Sequence, residues 1–298
     1  MDSIGKLDTV DTRLISTFTT LARTGSFTAA AAELHLAQST VTAHIQTLER
    51  ELRARLIDRL PSGAALTETG RRALERAQLL LDAEAALRAE AASDGPIEGE
   101  VTVGATESLC AYLLPGAIAA LHASHPGVDV RLTPSGTAGT VERLRDGRIS
   151  VGLILEPALR ASDLVIRKAG ALDLGFACAP DHTLAGRKAG WAELAKHRWF
   201  LLEEGCTYSD DVARELAAGE HPQITRLGSV EAVRACVAAG LGLSLLPAFA
   251  LAGRGLAEFQ APRIRPNAIL LARHARRSPS LAQQAVLDEL AKAAALLN

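Results

Sequence analysis

Residues 25–49 read Gly25-Ser26-Phe27-Thr28-Ala29-Ala30-Ala31-Ala32-Glu33-Leu34-His35-Leu36-Ala37-Gln38-Ser39-Thr40-Val41-Thr42-Ala43-His44-Ile45-Gln46-Thr47-Leu48-Glu49. Ser26 stands where it can cap a short helix from Phe27 to Leu34. Ala30 and Ala31 are small where one helix must cross another closely, and His35-Leu36-Ala37 forms a turn. A second helix runs from about Gln38, with Val41, Ile45, Leu48 and Leu52 stacked inward at helical spacing. Ser39, Thr40, Thr42, Ala43 and Gln46 are left pointing outward. Two short helices at a tight turn, the second showing a row of small polar side chains, are the layout of a helix-turn-helix. In such a motif the second helix enters the DNA major groove. Just upstream, Leu14, Phe18 and Leu21 predict a further amphipathic helix that stops at Thr24-Gly25.

Charge speaks against this reading before it speaks for it. The chain of 298 residues carries a net charge of −2, and its first seventy residues hold seven basic against eight acidic side chains. A basic domain is therefore excluded. Four of those seven, Arg50, Arg53, Arg55 and Arg59, fall within ten residues, and concentration beside a groove matters more than the sum. The length allows two or three compact units, and 48% apolar with 22% charged residues is globular composition. The longest apolar run, Leu109 to Ala123, is interrupted by Pro115 and Gly116 and falls short of a membrane span. The segment Met1 to Asp8 is acidic and polar, unlike a secretory signal, so a cytoplasmic location is expected.

Beyond the helix-turn-helix, Thr67 can cap a long helix from Glu68 to about Ala92. Its stripe of Leu74, Ala77, Leu80, Leu81, Ala85 and Leu87 is wider than a small domain can cover and wants a partner helix. Ser93-Asp94-Gly95-Pro96 ends it. From Glu98 the period changes to alternating strand and helix. Strands are predicted at Val101–Gly104, Val128–Leu132 and Ile149–Ile154, with one helix reaching Leu121 and a short one at Val141–Leu144. The rhythm restarts at Leu172–Ala177 and runs through Trp199–Leu202, helices at Asp210–Ala218 and Val230–Ala239, and a strand at Leu243–Leu246. A last helix, Ser280–Leu297, returns to the first lobe. The fold class is α/β: an all-α head with a linker helix, then two lobes with mostly parallel sheets.

Ligands in such sheets sit at the carboxyl ends of strands, where helix N-termini favour an anion. Four strand-to-helix junctions qualify: Thr106-Glu107-Ser108, Ser135-Gly136-Thr137, Gly205-Cys206-Thr207 and Gly228-Ser229. Each Ser or Thr can equally be a simple helix cap. A small carboxylate is the expected effector class, although Glu107 would oppose one if it points inward. Catalytic and metal sites are not expected. His122 and His125 stand three apart with nothing nearby to complete a ligand set, and the four cysteines contain no CxxC pair. Neither a phosphate-cradling loop nor a GxSxG elbow is present.

The chain resembles the LysR-type transcriptional regulators over nearly its whole length. Phe18, Gly25-Ser26-Phe27, Ala30-Ala31, Leu34, Gln38, Val41, Thr42, Ile45, Leu48-Glu49, Leu56, Arg59, Leu66-Thr67 and Gly70 carry the likeness at the front. His125-Pro126-Gly127-Val128, Ala179-Pro180-Asp181-His182 and Val237-Ala238-Ala239-Gly240-Leu241-Gly242 carry it in the second half. The resemblance implies a winged helix-turn-helix at 10–67, a linker and dimerisation helix at 68–94, and a sensor domain like the type II periplasmic binding proteins at 98–298. Lobe 1 of that sensor would take about 98–170 and 270–298, lobe 2 about 171–269. Implied DNA-binding residues are Ser26, Thr28, Gln38, Ser39, Thr40, Thr42, Ala43, His44, Arg50, Arg53, Arg55 and Arg59. Implied effector-binding residues are Thr106, Glu107, Ser108, Ser135, Gly136, Thr137, Cys206 and Ser229. The function implied is a ligand-responsive regulator that binds an imperfect inverted repeat, with no cofactor. Its partners would be double-stranded DNA, a small-molecule effector, further copies in a homodimer or homotetramer, and RNA polymerase.

Several positions depart from the family pattern. Ala43 stands where an arginine is usual and Ser39 where a proline is frequent; alanine cannot make the bidentate contact to guanine. Ala54 and Ile57 replace the usual Gly and Phe, and the wing Pro61-Ser62-Gly63-Ala64-Ala65 has no basic residue after Arg59. Two other readings stay open: a thiol-redox sensor using Cys206, whose next cysteine is as far away as Cys236, and a plain small-molecule binding module.

Overall fold

The structure, a computed structural model, describes residues 10–60, 63–91, 95–217, 222–251 and 255–297. Met1 to Asp8, Pro61 and Ser62 of the expected wing, Ser93 and Asp94 after the linker, and Ala218 lie outside the described residues. Two compact units divide the chain, the first made largely of residues up to Gly95 and the second largely of those from Pro96.

In the first unit, α1 (Thr12–Thr24), α2 (Phe27–Glu33) and α3 (Gln38–Glu51) precede a hairpin of β1 (Ile57–Leu60) and β2 (Gly63–Leu66) and a long helix α4 (Glu68–Ala91). Caps set the helix boundaries. Asp11 caps α1, and Gly25, at φ 63°, ends it in the left-handed conformation that glycine adopts without strain. Ser26 accepts the Ala29 N–H at 3.3 Å to start α2. Leu14, Phe18, Leu21, Ala30, Ala31, Val41, Ile45, Leu48, Leu56 and Ile57 form one buried core that Leu74 of α4 completes. Each large aliphatic there contributes about 1.5–3 kcal/mol. Leu52 was expected inside and is not: α3 stops at Glu51, and Leu52 in the cap position is 43% exposed.

Three polar ties fix how these helices meet. His44 Nδ1 hydrogen-bonds Thr17 Oγ1 at 2.9 Å, joining α3 to α1. Glu49 Oε1 accepts the N–H groups of Leu56 and Ile57 at 2.8 and 3.1 Å, bolting the end of α3 to β1. Thr67 Oγ1 accepts the Gly70 N–H at 2.9 Å as the α4 cap and donates to the Arg55 carbonyl at 2.7 Å. Leu80 and Leu87 of α4 stay 42% and 67% exposed, as a stripe awaiting a partner helix would be.

The second unit holds two lobes. In lobe 1, β3 (Glu98–Ala105), α5 (Glu107–Tyr112), α6 (Leu114–Ser124), β4 (Gly127–Pro134), α7 (Thr137–Arg145), β5 (Val151–Glu156) and β6 (Leu164–Leu172) come first. Lobe 2 follows with β7 (Leu174–Cys178), α8 (Trp191–Leu194), β8 (Arg198–Leu202), α9 (Thr207–Leu216), β9 (Gln223–Leu227), α10 (Val230–Ala238), β10 (Ser244–Pro247), α11 (Ala248–Leu251) and β11 (Ala257–Phe259). The chain then returns to lobe 1 as β12 (Asn267–His274) and α12 (Leu281–Ala295).

The sheet of lobe 1 runs β4-β3-β5-β12-β6. Only β3 with β4 and β3 with β5 are parallel; β12 pairs antiparallel with both β5 and β6, so the sheet is mixed rather than mostly parallel. Lobe 2 pairs β7 antiparallel with β10 and β11, and β8 parallel with β9. The bridge Trp199 to Leu243 links β8 to the start of β10. The helix expected to run unbroken to Leu121 is two helices, because the turn at Leu113 and Pro115 resets the axis. Strand β6 escaped the sequence reading: its burial alternates only in part, and the charged pair Arg167-Lys168 interrupts its apolar run. Val286, Leu287, Leu290 and Ala294 of α12 pack into the same buried core as β3, β5 and β12. Among the described residues no helix is long and apolar enough to cross a membrane.

Two substitutions test this packing. A Cβ on Gly70 would meet the Leu56 carbonyl oxygen at 2.1 Å, a backbone atom that cannot swing away. Gly70→Ala should lower stability by about 2 kcal/mol although alanine favours helices, read as an earlier midpoint in chemical denaturation. His44→Ala should cost about 1 kcal/mol and combine less than additively with Thr17→Val, because both remove the same hydrogen bond.

Candidate nucleic-acid interface and effector cavity

At the start of α3, Gln38 and Ser39 are exposed, Thr40 and Thr42 half-buried and Ala43 exposed. This face follows from the sequence: Val41, Ile45 and Leu48 turn inward, so the residues between them turn out. No side chain caps α3 at Ala37, which leaves its first N–H groups free of an internal side-chain partner. Thr28 on α2 is exposed, while the hydroxyl of Ser26 is occupied as a cap. His44 is half-buried and its Nδ1 is engaged by Thr17, which makes it first a packing residue.

The four arginines are all exposed, and Arg50, Arg55 and Arg59 are each steered by a neighbour. Arg50 donates to Thr47 Oγ1 at 2.9 Å and to the Gln46 carbonyl at 3.3 Å. Arg53 sits in the turn after α3 with φ 49°, a left-handed conformation unusual for arginine. Arg55 reaches the Ile57 carbonyl at 3.3 Å and Asp58 at 3.4 Å. The Arg59 guanidinium lies 5.0 Å from the centre of the Phe27 ring, a cation–π contact that aims β1 at the start of α2.

The second unit contains a cavity of about 340 Å³ between its two lobes. It is lined by seven of the eight expected effector residues: Thr106, Glu107, Ser108, Ser135, Gly136, Thr137 and Cys206. Ser229 is displaced from the lining by Gly228; its hydroxyl donates instead to Glu107 Oε1 at 3.2 Å. The sequence reading missed Glu203, Glu204 and Tyr208, which also line it. All three flank Gly205-Cys206-Thr207, the junction after β8 that the sequence does mark, so widening that junction by two residues on one side and one on the other finds them.

The expected anion meets the opposite environment. The lining contains Glu107, Glu203 and Glu204 and no Lys, Arg or His. Moreover, the protein's own carboxylates occupy the helix starts that were expected to bind one. Glu107 Oε2 accepts the Val230 N–H at 3.1 Å, at the start of α10. Glu156, at the end of β5, accepts the hydroxyls of Thr137 at 2.7 Å and Thr207 at 2.6 Å, the first residues of α7 and α9. Asp210 accepts the Gly205 N–H at 2.9 Å. None of Thr106, Cys206 and Ser229 caps its own helix through its side chain. At α10 the Glu107 carboxylate has taken that role.

Cations near α9 are paired outside the cavity. Arg265 grips Asp211 with two hydrogen bonds of 2.7 and 3.0 Å, and Arg214 adds a third at 2.6 Å. Arg265 foremost holds the Asp211 carboxyl below its usual range. Arg226 pairs with Asp210 at 2.8 Å.

Cys206 precedes α9 as its cap residue, and burial foremost pushes its thiol above the usual range. That favours the protonated thiol, the poorer nucleophile. All four cysteines are free thiols. His125 hydrogen-bonds Ser124 at 2.9 Å, and among the described residues no group of three His, Cys, Asp or Glu could hold a metal ion.

Comparison with known proteins agrees with this layout at both ends. Residues 94–295 match the family model of the LysR substrate binding domain, and residues 12–71 that of the bacterial regulatory helix-turn-helix protein, lysR family. The HTH-type transcriptional regulator CfxR of Cupriavidus necator is 33% identical over 242 residues, covering 78% of this chain and 74% of that protein. A probable hydrogen peroxide-inducible genes activator of Mycobacterium avium is 32% identical over 257 residues, covering 83% and 82%. The solved structure of CbnR, a LysR family transcriptional regulator, aligns with a TM-score of 0.61 at 26% identity, covering 96% of this chain and 99% of that one. A full-length OxyR variant from Pseudomonas aeruginosa aligns with a TM-score of 0.79 over 96% and 94% of the two chains. Its 23% identity makes that a likeness of fold alone. The chain belongs to the LysR family, as a ligand-responsive transcription regulator with a helix-turn-helix DNA-binding region and a substrate-binding domain.

Proposed function

We propose that α3 reads DNA in the major groove through Gln38, Ser39, Thr40, Thr42 and Ala43, with Thr28, Arg50, Arg53, Arg55 and Arg59 positioning the backbone. The exposed polar first turn of α3 on a tightly packed three-helix core carries this reading. Two heads in a dimer would bind an imperfect inverted repeat, because a symmetric protein matches a symmetric site. The exposed Leu80 and Leu87 stripe of α4 supports pairing through that helix. The cavity of the second unit would hold the effector, and its occupancy would bias how the two lobes close. Such a regulator works in the cytoplasm, engages RNA polymerase at its promoters and needs no enzymatic activity.

Selection of genomic fragments on the purified protein, followed by footprinting, should show a protected region with two-fold symmetry; no enrichment at low salt would overturn the DNA-reading role. On the selected site, Gln38→Ala should cost about 1–3 kcal/mol of affinity. With no basic residue in the described part of the wing after Arg59, affinity should fall only gently with salt, as for few neutralised phosphates per head.

A second reading, peroxide sensing through Cys206, draws on the name of the Mycobacterium avium relative. The half-buried thiol, pushed above its usual range foremost by desolvation, opposes it. Under mild peroxide Cys206 should stay unmodified by mass spectrometry at neutral pH; a sulfenate, or a disulfide to Cys236, would favour the redox reading instead.

A further inference from the structure

Resting on the cavity as the effector site, we propose that the effector is cationic: a small molecule bearing an ammonium or guanidinium group, bound among Glu107, Glu203 and Glu204 with the Tyr208 hydroxyl as a further contact. Three observations carry this. All charged side chains lining the cavity are carboxylates. Among the described residues, neither Glu203 nor Glu204 has a hydrogen-bond or ion-pair partner for its carboxylate, whereas Asp210 and Asp211 on the neighbouring helix are both paired with arginine. Tyr208 is 1% exposed and lines the cavity, and its hydroxyl makes no hydrogen bond of full geometry among the described residues, only a loose approach to the Cys206 thiol.

An anion has little to bind here. Protein carboxylates already hold the α10 N–H at Val230 and the hydroxyls of Thr137 and Thr207. An incoming carboxylate would face Glu107 and Glu156 as like charges at the same helix starts. A cation finds acceptors on two sides: Glu203 and Glu204 at the loop after β8, and Glu107 across the cavity on α5. Arg143, whose guanidinium lies beside Gly139 on α7, is outside the lining, and Arg265 is held by Asp211. A charge-assisted hydrogen bond from an ammonium to a carboxylate is among the stronger polar contacts available in a partly desolvated site.

The test is a titration of the full-length protein with agmatine, glutarate and 1,5-pentanediol at constant ionic strength, read by thermal unfolding. Agmatine should raise Tm saturably, while glutarate and pentanediol should not. The double variant Glu203→Gln/Glu204→Gln should weaken agmatine about tenfold, the worth of one charge-assisted hydrogen bond. Tyr208→Phe gives a signature that a packing role would not. Removing a buried hydroxyl that has no well-formed hydrogen bond should leave Tm of the protein alone unchanged or higher, yet agmatine should bind more weakly. Ala138→Trp, which fills the cavity, should abolish the shift. Absence of any saturable shift with agmatine overturns the proposal. A glutarate response that Ala138→Trp abolishes also overturns the cationic assignment while keeping the cavity as the effector site. An agmatine response that survives Ala138→Trp overturns both.

Discussion

The insertion of β12 between β5 and β6 is the constraint on which the sensor depends. A sheet whose interior antiparallel strand arrives roughly a hundred residues after its neighbours cannot close until the chain of lobe 2 has been passed. Lobe 2 is thus an excursion from lobe 1, leaving just after Leu172 and returning at Asn267, two residues that face each other in the register of β6 and β12. That double crossing brings the carboxyl ends of β3, β4 and β5 opposite the loop after β8, and the cavity is what lies between. Pairing across such a separation makes early completion of the sensor unfavourable on loop-closure grounds.

Given that arrangement, the helix starts around the cavity needed partners, and the protein supplies carboxylates from the opposite lobe. Glu107 on α5 of lobe 1 holds the start of α10 in lobe 2, and Glu156 at the end of β5 holds the hydroxyl at the start of α9. Tyr112 of α5 adds a hydrogen bond to Glu231 of α10, and its ring packs 4.9 Å from that of Phe249. A serine or threonine cap would have served one helix. A carboxylate reaching across serves one helix and joins two lobes, at the expense of making the cavity acidic. Selectivity for charge is then a by-product of how the lobes are joined.

Much of this architecture could be read from residue order. The helix-turn-helix was legible because Val41, Ile45 and Leu48 repeat at helical spacing and because Ser26 and Gly25 mark a cap and a stop, all local signals. The cavity junctions were legible for the same reason: each follows an apolar run and opens a helix. What was not legible is non-local. Nothing near Leu52 says that α3 ends one residue earlier. The antiparallel placement of β12 is a property of pairing partners a hundred residues apart. The bond from His44 to Thr17 spans 27 positions, and the capping of α10 by Glu107 spans 123. The helix N-termini from which an anionic effector was expected differ on that last point: a dipole end attracts whichever anion is nearest, and at α10 the nearest is a side chain of the protein.

This capping scheme also constrains how an effector can act. A ligand shifts a two-state element only through a difference in its affinity for the two states. Contacts confined to one lobe would be equal in both states and would change nothing. Glu107 escapes that limit, because the carboxylate that lines the cavity is the same one that accepts the Val230 N–H and the Ser229 hydroxyl. A group that binds Glu107 must share its lone pairs with α10 or take them from it, so ligand binding and lobe closure draw on one set of acceptor sites. Coupling through a shared acceptor needs no chain of intermediates between ligand and hinge, and by linkage it is reciprocal: whatever fixes the lobes together alters ligand affinity by the same factor.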